Sequence, residues 1–412
     1  MTAALTALAM LVVGCSADQS TGGRIGGEFA TVFSSLPLQG PHSAEARDIL
    51  NAEKLALRDA GGRAGKFKIN LAFADDSTAR GSDGTPGWNA DKTAGNARAA
   101  VQNLRTIAYV GDFDSSATAV SLPITNGAGI PQVSPASTAV GLSRPATGAE
   151  KGEPDKYYPS GDQTFARVVP ASDVQASAAA RWAKRLGAKR VYLLGDKSPE
   201  GNGLIEQFRA QASRIGLVIV DQKTMDPRAA DYTELAKEIA DTNPDTLYFG
   251  SGANSNALAL WRDLGATMPD LRLVGSDGLL EPQFYEKLGS TAGNTYITSS
   301  VQDPRQLPPS GKRFARRYER EFGSNPGPYA AYGYTTMSLV LDAIGRAGAK
   351  ADQRQKVVDA LMATRDFDSP VGRFSIDANG DTSLDRIAGY RIAGRSPMFT
   401  AALRGERAPD QE

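Results

Sequence analysis

Hydrophobic positions along this chain switch repeatedly between a spacing of two and a spacing of three to four. Phe29 to Ser34 is a short apolar run and reads as a strand. From Ala44 to Asp59, the residues Ile49, Ala52, Leu55 and Ala56 recur at helical spacing, and Gly61-Gly62 closes the helix. Phe67 to Phe73 alternates as a strand does. The pattern then predicts a helix over Ala90–Leu104, a strand over Ile107–Val110, a helix over Ser115–Asn126 and a short strand over Pro131–Val133. Ser143 to Asp162 is rich in Gly, Pro and charge and reads as a loop.

A second series begins near Thr164. Strands are expected at Phe165–Val169, Arg190–Leu194, Leu217–Val220, Thr246–Phe249 and Leu271–Val274, and Tyr296–Val301 is extended again. Between them fall helices at Asp173–Leu186, Gly201–Ile215, Tyr232–Asp241 and Ser255–Leu264. Helices then return at Ser310–Phe322, Tyr329–Ala347 and Gln353–Thr364. The chain closes with Arg373–Ile376 and Arg386–Ile392, which Asn-Gly turn chemistry within Asp377–Asp381 predicts to be a hairpin. Strands alternating with helices mean parallel sheets covered on both faces. Two such series with a helical return predict an α/β protein of two lobes. Lobe one takes 28–170 and 304–367, lobe two takes 171–303 and 368–404, and 405–412 is a polar tail.

The first segment has another character. Ala3 to Val13 is apolar apart from Thr6, and Gly14-Cys15-Ser16 follows. The run falls short of the roughly 20 residues that span a bilayer and fits the apolar region of an export signal. Leu11-Val12-Val13-Gly14-Cys15 resembles the lipobox of bacterial lipoproteins, which implies a signal over 1–14 and a diacylglycerol on Cys15. An exported chain with one odd Cys needs a reason for it, and acylation supplies one. Acyl chains at about 0.8 kcal/mol per buried methylene anchor a protein to the membrane. No Lys or Arg precedes the apolar run, which departs from the pattern. Residues 15–27 then read as a flexible tether.

Composition narrows the chemistry. The 412 residues are 41% hydrophobic and 22% charged, with 46 Lys and Arg against 46 Asp and Glu. That balance belongs to a soluble globular protein and argues against a nucleic-acid partner, which asks for a basic excess. One His, His42, leaves little room for a His-based zinc site or a Ser-His-Asp triad, and one Cys excludes an intramolecular disulfide. No phosphate-binding glycine loop follows a strand: Gly195-Asp196-Lys197 and Gly201-Asn202-Gly203 have the wrong spacing. Asp377 to Asp385 lacks the ligand spacing of a calcium loop. No cofactor, metal or catalytic residue is expected, and the chain does not read as an enzyme.

Ligands of parallel α/β sheets collect beyond the carboxyl ends of strands. Four such ends are polar here: Gly111 to Thr118, Ser134 to Thr138, Gly195 to Glu200 and Gly275 to Gly278. Small hydroxyl residues at a helix start offer hydroxyls and backbone N–H groups to a ligand carboxylate. Each alone also reads as a cap or a turn; their recurrence at successive strand ends points to a site.

At these residues the sequence resembles the substrate-binding proteins of branched-chain amino acid ABC transporters, of the type I periplasmic-binding-protein fold. The features are Leu36-Pro37-Leu38-Gln39-Gly40, Gly61 to Gly65 with Asp75-Asp76, Gly111 with Ser115-Ser116, the run Ile130 to Thr138, and Phe165-Ala166-Arg167 with Gln175. They run in order from Phe29 to Ile392, and Ile130 to Thr138 is the most specific of them. The resemblance implies two lobes joined by three crossovers, closing on a ligand. It implies an extracytoplasmic, lipid-anchored monomer that passes its solute to a permease. Carried over by position, Ser115, Ser116, Ala136, Ser137 and Thr138 serve the ligand from lobe one. Asp277 pairs with its ammonium from lobe two, and Tyr329 covers it.

The sequence departs from the family at several places. Glu200 and Gly252 stand where many members carry Tyr, Glu45 stands near an aromatic position, and Asp114 replaces a neutral residue. If these acids face the cleft, the pocket is more polar than one built for leucine, and a polar, amide-bearing or cationic ligand comes into question. The same fold also serves ligand sensing beside a membrane receptor, an alternative that the sequence leaves open.

Overall fold

A computed structural model describes residues 24–79, 87–196, 199–250 and 256–407. Two sheets organise it. The first runs Arg63–Ala64, Phe67–Asp75, Phe29–Leu36, Thr106–Val110, Gln132–Ser134, Phe165–Arg167, all parallel but the first pair. The second runs Val218–Thr224, Arg190–Gly195, Thr246–Gly250, Arg272–Gly275, Thr295–Ser299, Arg386–Ala393, Ser396–Arg404, and only its last two strands are antiparallel.

Both sheets are covered on both faces, which explains why their central strands read as unbroken apolar runs. In the second, Leu194, Leu247, Phe249, Leu273 and Ile297 pack on one face with Trp261, while Val191, Leu193, Tyr248 and Val274 pack on the other with Phe208. In the first, Val32, Ile107 and Val110 join Phe314, Tyr318 and Tyr332 of the returning helices Pro309–Phe322 and Ala330–Arg346. The helical return therefore completes lobe one. The chain passes between lobes three times: after Phe165–Arg167, after Thr295–Ser299, and along residues 377–385.

Three expectations change. The closing hairpin is not formed between Arg373–Ile376 and Arg386–Ile392. Instead Gly372–Phe374 pairs with Phe367–Ser369, and Arg386–Ala393 lies between Thr295–Ser299 and Ser396–Arg404. The Asn379-Gly380 turn exists, but it docks on lobe one, where Gly380 O accepts the Arg167 N–H at 3.0 Å. Val371, Phe374, Ile376 and Leu384 are buried in the lobe-one core, so the start of 368–404 belongs there rather than to lobe two. The tether is also shorter than 15–27. Ile25 is 3% exposed, and its N–H donates to Asp352 O at 2.8 Å. The segment expected to be a signal, Cys15, Gly252 and the end of the polar tail lie outside the described residues.

A buried ionic network ties two of the crossovers together. Arg167 Nε donates to Asp381 Oδ1 at 2.7 Å, Arg144 Nε to Asp381 Oδ2 at 3.2 Å, and Arg144 Nη2 pairs with Asp173. Burial works to raise the Asp381 carboxyl, but the Arg167, Arg407 and Arg144 guanidiniums outweigh it and hold the group below its ordinary range. Two Arg against two Asp leave the network neutral, which lets it sit out of water.

Candidate functional site

Strand ends from both sheets converge on one cavity of about 140 Å³ between the lobes. Lobe one brings His42 and Glu45 from the start of helix Ser43–Asp59, then Phe113, Asp114 and Ser115, then Ala136 and Thr138. Lobe two brings Glu200, Asp277, Gly278, Leu280 and Glu281. Ser299, Val301, Pro328, Tyr329 and Tyr390 complete the wall.

The lobe-one side is built around Gly111. Strand Thr106–Val110 ends there with φ +133°, and a Cβ at this glycine would lie 2.5 Å from Ser35 O. Only glycine lets the backbone pass so close. Asp112 then turns inward, accepting from Tyr109 Oη at 3.0 Å and from Ser121 Oγ. Ser134 Oγ accepts the Ala136 and Ser137 N–H groups at 3.1 and 2.8 Å and donates to Asp112 O at 2.7 Å. The two loops are thus clamped to each other. Helix Ser115–Gly127 starts after Asp114, whose side chain makes no capping bond. An aspartate in that place ordinarily caps the helix; here Asp114 instead lines the cavity, and its Oδ2 is buried without a hydrogen-bond partner.

Ser115 Oγ accepts the N–H groups of Thr138 and Ala139, both at 3.1 Å. Thr138 Oγ1 reaches across to Glu200 Oε1 at 3.5 Å, and His42 Nε2 stands 3.8 Å from Glu281 Oε1. These two contacts span the lobes, as does the approach of Gly148 to Gly203, where an added Cβ would meet Gly203 Cα at 2.7 Å. The lobes are closed. Asp277 is held from behind: Gln175 Nε2 donates to Oδ1 at 3.0 Å and the Ser300 N–H to Oδ2 at 3.2 Å. Tyr329 packs on Phe113 with ring centroids 4.9 Å apart.

The electrostatics follow from burying like charges together. Burial is the largest cause at each of the raised acids. It pushes Glu200 up to about 8, with the charges of Asp277, Asp196 and Asp114 adding to it and the Thr138 hydrogen bond opposing it. Burial raises Asp114 as well, the His42 charge opposing and Glu281 adding. Asp277 is raised by burial against the bonds from Gln175 and Ser300.

Six residues singled out in the sequence meet in this cavity: Ser115, Ala136, Thr138, Glu200, Asp277 and Tyr329. Two do not line it. Ser116 sits beside Ser115 without lining the wall, and Ser137 is fully buried, with its Oγ 2.7 Å from Thr118 Oγ1 and 3.1 Å from Asp112 O. Glu45 and Asp114, noted only as departures, both face the ligand space. His42, Phe113 and Glu281 were not singled out as site residues. Being the chain's only histidine was the one signal His42 offered, and Glu281 lies four residues past Asp277 in a segment that reads as a turn.

Two α/β lobes that close on a small cavity through three crossovers define a solute-binding protein of the type I periplasmic-binding-protein fold. Residues 34–393 match the family described as periplasmic binding protein, and the chain belongs to that family. The family is one of solute-binding proteins, not of enzymes. A Leu/Ile/Val-binding protein of Rhizobium johnstonii is 23% identical over 88% of this chain and 91% of its own. An amino acid binding protein of Pseudomonas aeruginosa is 27% identical over 81% of each chain. The crystal structure of a leucine-binding protein from Thermotoga maritima shares the fold, with a TM-score of 0.75 at 23% identity, over 91% of this chain and 99% of that one.

Proposed function

We propose that this protein captures an amino acid or a related small polar solute between its lobes and delivers it to the permease of an ABC transporter. It does so outside the cytoplasm, held to the membrane by a lipid on Cys15. The observation that carries this reading is the closed cavity, lined from the strand ends of both lobes, so that one ligand bridges them. The names of the Rhizobium and Pseudomonas relatives support the amino acid class. Ser115, Thr138, Asp277 and Tyr329 are the residues that hold the solute. Delivery follows from closure: a ligand bridging the lobes selects the closed form, which a permease then distinguishes from the open one.

A thermal-shift screen of the full chain against amino acids, amides, polyamines and sugars tests the capture. A ligand at 100 times its dissociation constant adds about 2.7 kcal/mol of stability. No shift with any of these classes would refute it. Fatty-acid labelling in cells tests the anchor separately: wild type should carry label, Cys15→Ala should not, and an unlabelled wild type refutes the lipid.

A further inference from the structure

The cavity between the lobes holds five carboxylates, those of Glu45, Asp114, Glu200, Asp277 and Glu281. Among the described residues no Arg or Lys lines it, and His42 is its sole basic group. We propose that the solute it selects is a short aliphatic polycation of the α,ω-diamine class, carrying no carboxylate of its own. This rests on the solute-capture reading above and names the ligand for that same site.

Three observations lead there. First, three of the acids keep an oxygen that nothing in the protein pairs, although Glu281 Oε2 accepts from Gln283 Nε2. Glu45 Oε2, Asp114 Oδ2 and Glu281 Oε1 are shut away from solvent and accept no hydrogen bond. An unpaired buried carboxylate is strongly unfavourable, so something positive is expected to meet it. The contact between Glu281 and His42, at 3.8 Å, is too long for a hydrogen bond.

Second, the acids come from both lobes: Glu45 and Asp114 from lobe one, Glu200, Asp277 and Glu281 from lobe two. A single ammonium donates three hydrogen bonds, fewer than five carboxylates can accept. A cation at each end of one short chain meets more of them, and it would pin the lobes shut. Phe113 and Tyr329 add aromatic faces along the way, which suit a cation or its methylenes.

Third, the groups that would hold an amino acid's carboxylate are already engaged. The Thr138 and Ala139 N–H groups donate to Ser115 Oγ, and the Thr138 hydroxyl donates to Glu200. An entering carboxylate would meet five acidic side chains and no Arg or Lys. At about 140 Å³ the cavity is below the roughly 300–1,000 Å³ of drug-sized sites, which limits the polycation to a few heavy atoms.

The raised Glu200, Asp114 and Asp277 carboxyls fit this assignment: burial works against their charged forms, and an entering dication would favour those forms again. The other titratable groups facing this space are Glu45, Glu281, His42, Tyr329 and Tyr390.

Isothermal titration of the full chain with 1,4-diaminobutane, n-butylamine and L-leucine at pH 8 decides it. The diamine should bind, with n-butylamine and leucine each about 30-fold weaker or worse, the loss expected when one buried charge pair is missing. Glu200→Gln and Asp114→Asn, one from each lobe, should each weaken the diamine about 30-fold, with circular dichroism reporting that both stay folded. Leucine binding more tightly than the diamine overturns the polycation assignment and leaves solute capture standing. Equal binding of butylamine and diamine also overturns it, because only one charge is then read. No heat with any of the three overturns it too, and the broader thermal-shift screen then judges capture on its own.

Discussion

Replacing Glu200 by Gln should stabilise the unliganded protein, and only above acid pH. The Glu200 carboxyl is pushed from its ordinary 4.5 up to about 8, chiefly by burial and then by Asp277, Asp196 and Asp114. An unfolded chain gives up this proton near pH 4.5, and the folded one keeps it until about pH 8. Unfolding therefore releases a proton between those limits, so stability falls as pH rises through the window and is untouched below it. The gap is 8 − 4.5 = 3.5 pH units. At 1.36 kcal/mol per unit it corresponds to about 5 kcal/mol at full effect. Opening of the lobes hydrates the carboxylate and relieves part of this, so we expect about 2–4 kcal/mol. Gln fills the same volume without a charge to desolvate. Melting curves of wild type and Glu200→Gln from pH 4 to 8.5 should coincide at pH 4 and part progressively, the variant melting several degrees higher at pH 8. A difference that does not change with pH would refute the burial of this carboxylate, and a variant that melts lower at pH 8 would refute the sign.

Asp381→Asn should lower stability by about 3–5 kcal/mol at neutral pH, because it leaves the Arg144 and Arg167 guanidiniums buried without their shared partner; urea unfolding measures it, and a loss under 1 kcal/mol contradicts the network's role. Trp261→Ala should be destabilising by about 3–5 kcal/mol, since the ring is fully buried between Phe249 and Phe284 and its Nε1 donates to Thr295 at 3.0 Å; the same unfolding curves report it. Asp277→Asn should weaken ligand binding about 30-fold or more with little change in the melting of the empty protein. Titration with whichever solute the screen identifies checks this, and binding within threefold of wild type would remove Asp277 from the site. Small-angle scattering with and without that solute should show a smaller radius of gyration on binding; an unchanged profile at saturation contradicts closure.

Periodicity alone was enough to lay out alternating strands and helices, because both faces of each sheet are covered and their strands must be apolar throughout. Turn chemistry was legible too, but its use was not. Asn379-Gly380 makes the turn its sequence promises, yet the turn packs against Phe165–Arg167 instead of joining two strands of a hairpin. Ser396–Arg404 went unread because Pro397 stands inside it, and a proline within a strand is tolerated only at an edge such as this one.

The site divides the same way. Ser115, Ala136, Thr138 and Asp277 were legible because ligands gather at strand ends, and the sequence shows where strands end. Sequence order could not decide which neighbouring hydroxyl faces the cavity: Ser115 lines it while Ser137 is turned into the loop clamp with Thr118 and Asp112. Nor could it assemble the acids. Glu45, Asp114, Glu200 and Glu281 are scattered over more than two hundred residues, each an ordinary polar residue in its own segment. Only closure of the two lobes brings them around one small space, and only their joint burial turns single charges into a demand for a cation. Local pattern is written in neighbouring residues; the field inside a cleft is a sum over distant ones.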